Sequence, residues 1–217
     1  LDGHPVSAIG PHAFDGCDAE TVTLPEGLKY IGYRAFYTCS KLKNITVPDS
    51  LTFIGNEAFE NCWALNAFAF PSALTYVGDD AFKWTPLKEV ILPEGLTFLG
   101  DRAFWNGGNG KAKGCVKAVL PGSLKHVGAY AFQFLSVLKD VTFSEGMESI
   151  GEGAFSSTGL TKVVLPSTMK TVGDGAFAYC ESLQALDLCR CETVGEESFA
   201  YCPKLKTAVF GERLQTI

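Results

Sequence analysis

Residues 42–62 read LKNITVPDSLTFIGNEAFENC, and variants of this stretch recur along the whole chain. Its most constant part is a branched aliphatic residue, Gly, two variable residues, Ala and Phe, here Ile54 to Phe59. A fixed period of 20–50 residues is typical of a solenoid, in which each unit buries its apolar face against its neighbours. This stretch therefore decides the fold.

Nine copies of the phrase cover the chain, with glycines 22 or 23 residues apart and a single spacing of 28. The aromatic member is Phe in every copy: Phe14, Phe36, Phe59, Phe82, Phe104, Phe132, Phe155, Phe177 and Phe199. We expect residues 1–217 to form a single solenoid of about nine repeats, with a longer loop at 105–114. We also expect it to be part of a larger protein, since neither end carries the polar cap that solenoids need.

Each repeat predicts a strand, a second extended stretch and a short helical turn. Residues 42–47 alternate inward and outward with the period of a half-buried strand, and Pro48 ends it because proline lacks an N–H for the ladder. In residues 55–62, Ala58 and Cys62 lie four apart, as on one face of a helix. The fold class predicted is therefore an α/β repeat with one parallel β-sheet and helical or extended turns on the opposite face.

Acidic residues or Asn follow the repeat glycine in most copies. Such side chains favour the positive end of a helix, so we expect them to start the helical turn. The set is Asn56, Asp79, Asp101, Glu152, Asp174 and Glu196.

Composition excludes several functions. With 47% apolar residues the chain has ample material for a core, and its net charge of −6 argues against nucleic acid as a partner. No apolar run approaches the roughly 18 residues that span a bilayer, so we expect no membrane insertion. The pattern shows no nucleophile–base pair, which predicts that the chain is not an enzyme, and it indicates no cofactor.

The complete pattern, close to LxxIxLPxxLxxIGxxAFxxC, resembles the BspA-type leucine-rich repeat over nearly the entire chain. That resemblance implies a leucine-rich-repeat solenoid in a bacterial cell-surface or secreted protein that adheres to host proteins or other cells. It implies no active site. The departures are local: Cys189, Ser144 and Gly211 stand where the strand-ending Pro is expected.

The eight cysteines are interpreted as core residues. Five of them follow the repeat Phe by three residues, Cys115 and Cys191 replace a core Leu, and Cys189 alone falls outside these positions. A free cysteine behaves as a small buried hydrophobe, so we expect reduced thiols and no zinc. Neighbouring repeats still bring Cys17 to Cys39, or Cys180 to Cys202, within range of a disulfide.

Aromatic residues supply the candidate binding sites. Tyr30, Phe53, Tyr76 and Phe98 precede the Ile-Gly on four consecutive repeats, and His126 then continues the column before Ser149 and Thr171. Each adjoins an inward residue and should point outward, as a platform for a protein or glycan. Stacking between repeats explains the same column without a ligand.

A second aromatic set follows the repeat Phe and includes Trp105, which we count as a candidate because it opens the irregular stretch 105–114. Insertions in solenoids often carry function, although four glycines also fit a spacer. Packing between adjacent turns is the alternative to a binding role for this second aromatic set.

The function predicted from the sequence is a protein-interaction or adhesion module at the cell surface or in a secreted protein. The partner is expected to be a host or bacterial surface protein or glycan. An intracellular leucine-rich-repeat scaffold without an adhesive role is the alternative.

Overall fold

The structure is a computed structural model that describes residues 6–107, 114–188 and 190–217. It is a parallel β-solenoid in which each repeat forms one rung, numbered 1 to 9 by its column Phe. A rung has three sides: a strand of the first ladder, a two-residue strand of the second ladder, and a face of tight turns.

The first ladder holds the longer strands, which correspond to the predicted half-buried strand. They are β2 (Thr21–Thr23), β4 (Asn44–Thr46), β7 (Glu89–Ile91), β9 (Lys117–Leu120), β11 (Asp140–Phe143), β13 (Lys162–Val164), β15 (Ala185–Leu188) and β17 (Thr207–Phe210).

The second ladder holds pairs of residues just before the repeat glycine. They are β1 (Ala8–Ile9), β3 (Tyr30–Ile31), β5 (Phe53–Ile54), β6 (Tyr76–Val77), β8 (Phe98–Leu99), β10 (His126–Val127), β12 (Ser149–Ile150), β14 (Thr171–Val172) and β16 (Thr193–Val194).

All strand pairs are parallel and in register, but the expectation of one continuous sheet was wrong. The first ladder divides into β2-β4, β7-β9-β11 and β13-β15-β17, and the second into β1-β3-β5-β6-β8 and β10-β12-β14-β16. In rung 4, Phe68 and Phe70 replace smaller aliphatic residues and pack edge-on against Phe82, with ring centroids 5.0 and 5.5 Å away. Residues 66–70, which carry these larger rings, form no strand.

The second ladder breaks at the insertion, between β8 and β10. The turn face continues across it, because the Arg102 and Phe104 amides donate to the Ala129 and Ala131 carbonyls at 2.8 Å. The first ladder also continues, since Glu89 pairs with Lys117. Two of the three sides of the solenoid therefore continue across the insertion. Residues 108–113 of the loop lie outside the described residues.

The predicted helical turn was also wrong, since no helix is present in the described residues. The second variable residue after each repeat glycine has φ between 52° and 58°, as at Arg34 and Glu57. A right-handed helix cannot pass through a left-handed residue. Alternate amides instead reach the next rung, as from Phe36 to the Ala58 carbonyl at 2.8 Å. Extended pairs and tight turns replace the helix.

The acidic residues after the glycine consequently do not start a helix. The Oδ1 atoms of Asp79, Asp101 and Asp174 each accept the backbone N–H of the equivalent residue one rung on, at 2.8–2.9 Å. Their role is to tie neighbouring rungs together.

The repeat glycine is required by close approach between rungs. A Cβ added at Gly128 would lie 2.4 Å from the Gly100 carbonyl oxygen, and one at Gly55 would lie 2.9 Å from the Gly32 carbonyl carbon. Only a residue without a side chain fits there.

The core is a stack of the column Phe rings, with centroids 5.0–5.5 Å apart along the solenoid. Burial of the nine rings is incomplete at both ends. Phe14 is 42% exposed and Phe199 is half-buried, whereas the seven between them are buried. Rungs 1 and 9 are less completely covered by neighbouring rungs, so their rings keep contact with solvent.

Candidate functional site

The first four aromatic residues of the predicted platform lie on adjacent strands of the second ladder and stack face to face. Ring centroids are 4.5 Å apart between Tyr30 and Phe53, 4.3 Å between Phe53 and Tyr76, and 4.5 Å between Tyr76 and Phe98. The planes differ by 5–11°. We call Tyr30, Phe53, Tyr76 and Phe98 the aromatic ladder.

Exposure of the aromatic ladder is greatest at its ends. Tyr30 is 39% exposed and Phe98 43% exposed, while Phe53 and Tyr76 are half-buried. Partial burial, followed by the nearby Asp79 carboxylate, raises the pKa of the Tyr76 hydroxyl. Because each inner ring is covered on both faces, the ladder offers solvent a continuous strip of ring edges.

A row of threonines supports the aromatic ladder from the preceding position of each rung. The hydroxyls of Thr52, Thr75 and Thr97 donate to the carbonyls of Lys29, Thr52 and Thr75 at 3.0–3.1 Å. Each of these bonds joins two rungs. They hold the strands at the spacing that the ring stack requires.

His126 does not join the aromatic ladder. It lies on β10, the first strand of the β10-β12-β14-β16 sheet of the second ladder. Its Nδ1 is 2.7 Å from the Ser149 hydroxyl. Its ring is exposed, and Ser149 and Thr171 follow it on the next two strands. The predicted column is therefore continuous in sequence but is divided in space into an aromatic and a hydroxyl segment.

Trp105 lies on a different side of the solenoid, the turn face. Its ring meets Trp84 and Phe134 edge-on, with centroids 5.4 and 5.7 Å apart, and its indole N–H donates to Gln133 Oε1 at 2.8 Å. Trp105 is half-buried. Packing between turns accounts for these contacts, and the structure does not bring Trp105 together with the aromatic ladder.

The turn face also holds an ion-pair network that was not predicted from the sequence. Lys83 Nζ lies 3.3 Å from Glu60 Oε1 and 3.1 Å from Asp80 Oδ1, and Asp80 also binds Arg102 at 2.7 Å. Lys83 stands 4.8 Å from the Trp84 ring centroid. Burial raises the pKa of Glu60 against the lowering effect of Lys83. The sequence signal that could have predicted this network is the recurrence of opposite charges one repeat apart, at Glu60 and Lys83 and at Asp80 and Arg102.

A groove on the first ladder was missed as well. Its volume is about 670 Å³, and it opens where residues 66–70 leave the strand pattern. The small outward side chains of Ala67 and Ala69 form it, beside Ile91 and Val116. Two outward alanines in one repeat, where the other repeats carry at least one larger residue, were the available signal.

The cysteines occupy the core positions assigned to them. Cys39, Cys62, Cys115, Cys180 and Cys191 are buried, Cys17 and Cys202 are half-buried, and Cys189 lies outside the described residues. In the described ranges, no group of three or more His, Cys, Asp or Glu side chains is arranged to hold a metal ion. The same part of the chain contains no helix long and apolar enough to cross a bilayer.

A family model described as a BspA type Leucine rich repeat region of six copies matches residues 4–110 and again residues 111–217. No curated protein sequence matches the chain significantly.

Solved structures agree with the family match. A leucine-rich repeat protein from Bacteroides ovatus is 28% identical, with a TM-score of 0.68 over 97% of this chain and 63% of that one. The pneumococcal vaccine antigen PcpA is 27% identical, with a TM-score of 0.61 over 98% of this chain and 56% of that one. A leucine-rich repeat protein from Eubacterium ventriosum is 23% identical with a TM-score of 0.53, over 94% and 63% of the two chains, and it supports the fold alone. This chain thus spans 56–63% of the length of these three relatives.

Proposed function

The chain belongs to the BspA-type leucine-rich-repeat family, and we propose that it is a non-enzymatic protein-binding module of a bacterial surface or secreted protein. Its similarity to PcpA, a pneumococcal vaccine antigen, supports the surface location. The aromatic ladder is the contact surface we assign to the ligand.

The observation that carries this assignment is the exposed strip of ring edges on four adjacent rungs. Aromatic rings supply large, rigid contact area at low entropic cost, which is why they are frequent at binding hot spots. The strip is held by the solenoid backbone and by the threonine hydrogen bonds, so a ligand does not have to order it.

The stacking geometry favours a protein ligand over a glycan. The inner ring faces are occupied by their neighbours in the ladder, so a sugar ring finds open faces only at the outer sides of Tyr30 and Phe98. Ring edges carry the positive end of the aromatic quadrupole. They suit the ring faces and the carbonyl or carboxylate oxygens that an extended polypeptide presents.

Two substitutions test the assignment. Tyr76→Ser with Phe98→Thr removes half of the ladder and inserts the residues found at Ser149 and Thr171 in the same column. Losing an anchor costs about 2 kcal/mol, so we expect binding to a purified ligand to weaken by about thirtyfold. Binding is measured against a panel of purified extracellular-matrix proteins and against intact bacterial cells.

The matched control is Ser149→Ala with Thr171→Ala, which alters the same column in the other half of the solenoid. Thermal melts test whether both variants remain folded. Undiminished binding by the Tyr76/Phe98 variant would assign the rings to structural stacking alone and leave the first-ladder face as the candidate. Equal binding to isolated glycans would contradict the protein class of the ligand.

A further inference from the structure

The position three residues after the column Phe carries a cysteine or threonine in rungs 1–4 and 7–9, and these residues are called the row. Five of them donate a hydrogen bond to the Phe carbonyl of the preceding rung. Cys180 Sγ lies 3.3 Å from the Phe155 oxygen, Cys202 Sγ lies 3.3 Å from the Phe177 oxygen, and Thr85 makes the same bond to Phe59. These five side chains therefore share one orientation.

Neighbouring members of the row are in contact across one rung. The Thr158 hydroxyl oxygen is 3.2 Å from Cys180 Sγ, and Cys202 follows Cys180 in the next rung. The Phe rings of these three rungs are evenly spaced, with centroids 5.5 Å apart. In-register rungs at this spacing fall within the 4.4–6.8 Å range of Cα separations that disulfides span.

The two thiols differ in access. Cys180 is fully buried, whereas Cys202 is half-buried in rung 9. The neighbouring Cys180 thiol lowers the pKa of Cys202 to about 7, while Cys202 and burial raise the pKa of Cys180. Nucleophilic attack by a thiol requires its thiolate and a route for the reagent. Cys202 satisfies both requirements.

We propose that Cys180 and Cys202 form a thiol–disulfide site, in which Cys202 attacks a small-molecule disulfide and Cys180 resolves the product. The Cys202 thiolate bonds to one sulfur of oxidised glutathione, whose S–S bond breaks and releases one glutathione. Cys180 then loses its proton and attacks the Cys202 sulfur, which releases the second glutathione. Two protein thiols are oxidised by two electrons, and their two protons end on the two glutathione molecules.

Two other cysteine pairs in the same row provide internal controls. Cys39 and Cys62 are in adjacent rungs and donate to the carbonyls of Phe14 and Phe36, but both are buried. Cys17 is half-buried, and its sulfur accepts the Ala19 amide at 3.4 Å. The site is therefore selected by the access to Cys202 and by the matched orientation of both thiols toward the Phe of the preceding rung, and not by the repeat alone.

A Cys180–Cys202 bond would join rungs 8 and 9. A cross-link limits the chain entropy of the open state, so oxidation should slow amide exchange in these two rungs. The chemistry is independent of ligand binding at the aromatic ladder.

The test uses the native protein, oxidised glutathione in increasing concentration, differential alkylation and peptide mass mapping. We expect one bridge between Cys180 and Cys202, with Cys39 and Cys62 still reduced. Cys180→Ser should instead retain glutathione on Cys202, and Cys202→Ser should leave Cys180 unmodified. Both variants keep a hydroxyl that this row already accepts at Thr85 and Thr158.

Three results would overturn the proposal. They are glutathione accumulating on Cys202 of the unsubstituted protein without a bridge, bridging at Cys39 and Cys62 or at Cys17 and Cys39 at the same rate, and no reaction at Cys202.

Discussion

Rungs 1–5 and rungs 6–9 share one core but carry different second ladders. In the first half the exposed column holds stacked rings, and in the second it holds His126, Ser149, Thr171 and Thr193. The backbone pairing is the same parallel register in both. The difference teaches that the fold restricts the inward columns, while the outward column accepts either rings or hydroxyls.

One ion pair from each half shows a difference in burial. In the first half, Asp80 and Lys83 pair with side chains that are only 11% and 20% exposed. In the second half, Glu148 binds Lys170 at the surface, with side chains 34% and 55% exposed. Water screens the second pair far more than the first.

The largest predicted effect is on the free energy of unfolding. It should show that the Phe cores of the two halves are equivalent. Phe59→Ala and Phe155→Ala each remove a fully buried ring and should each lower the free energy of unfolding by about 3–5 kcal/mol. Phe14→Ala, in the exposed terminal rung, should cost clearly less. Denaturant titration measures all three, and a large difference between Phe59 and Phe155 would break the equivalence.

A smaller effect on stability should distinguish the aromatic ladder of the first half from the hydroxyl column of the second half. A double-mutant cycle on Phe53 and Tyr76, each changed to Thr, should give a coupling of about 0.5–1.5 kcal/mol because the rings stack. The control cycle uses Thr171→Ala and Thr193→Ala, whose hydroxyls lie 3.2 Å apart. Its coupling should be no more than about 0.5 kcal/mol, since water competes for an exposed hydrogen bond. Equal couplings would remove the energetic distinction between the two halves.

The smallest predicted effect is on the pH dependence of stability. The contributions of Glu60 and Glu148 should have opposite signs. Burial raises the pKa of Glu60 above its ordinary value of 4.5, so the folded state binds its proton first and this group adds stability as pH falls through that raised pKa. Lys170 lowers the pKa of Glu148, so its contribution is present above 4.5 and is lost as pH falls through the lowered pKa.

The measurement compares each Glu→Gln variant with the unsubstituted protein across the acid range. Relative to Glu60→Gln, the unsubstituted protein should gain stability as pH falls. Relative to Glu148→Gln, it should lose stability. Salt should reduce the Glu148 difference more than the Glu60 difference, because the Glu148 pair is exposed. The same sign for both would contradict the burial argument.

Much of the fold followed from the period and the alternation within one repeat. The cysteines that follow the repeat Phe were interpreted as core residues from position alone, and Cys62 and Cys180 are fully buried. The aromatic ladder was predicted as an outward column, and its members lie on adjacent strands. The helical turn was wrong because spacing of four between Ala58 and Cys62 fits a helix and also fits a rung in which Glu57 and Asn61 take left-handed backbone.

The sequence by itself determined the rung, because nine copies of one apolar pattern leave a single way to bury their inward columns together. Only the tertiary structure decided what happens between rungs. It placed Asp79 and Asp101 as acceptors for the next rung, divided the column at His126, and left Phe14 exposed. Contacts between rungs depend on backbone conformation and on which neighbour is present, and neither is written in the pattern of one repeat.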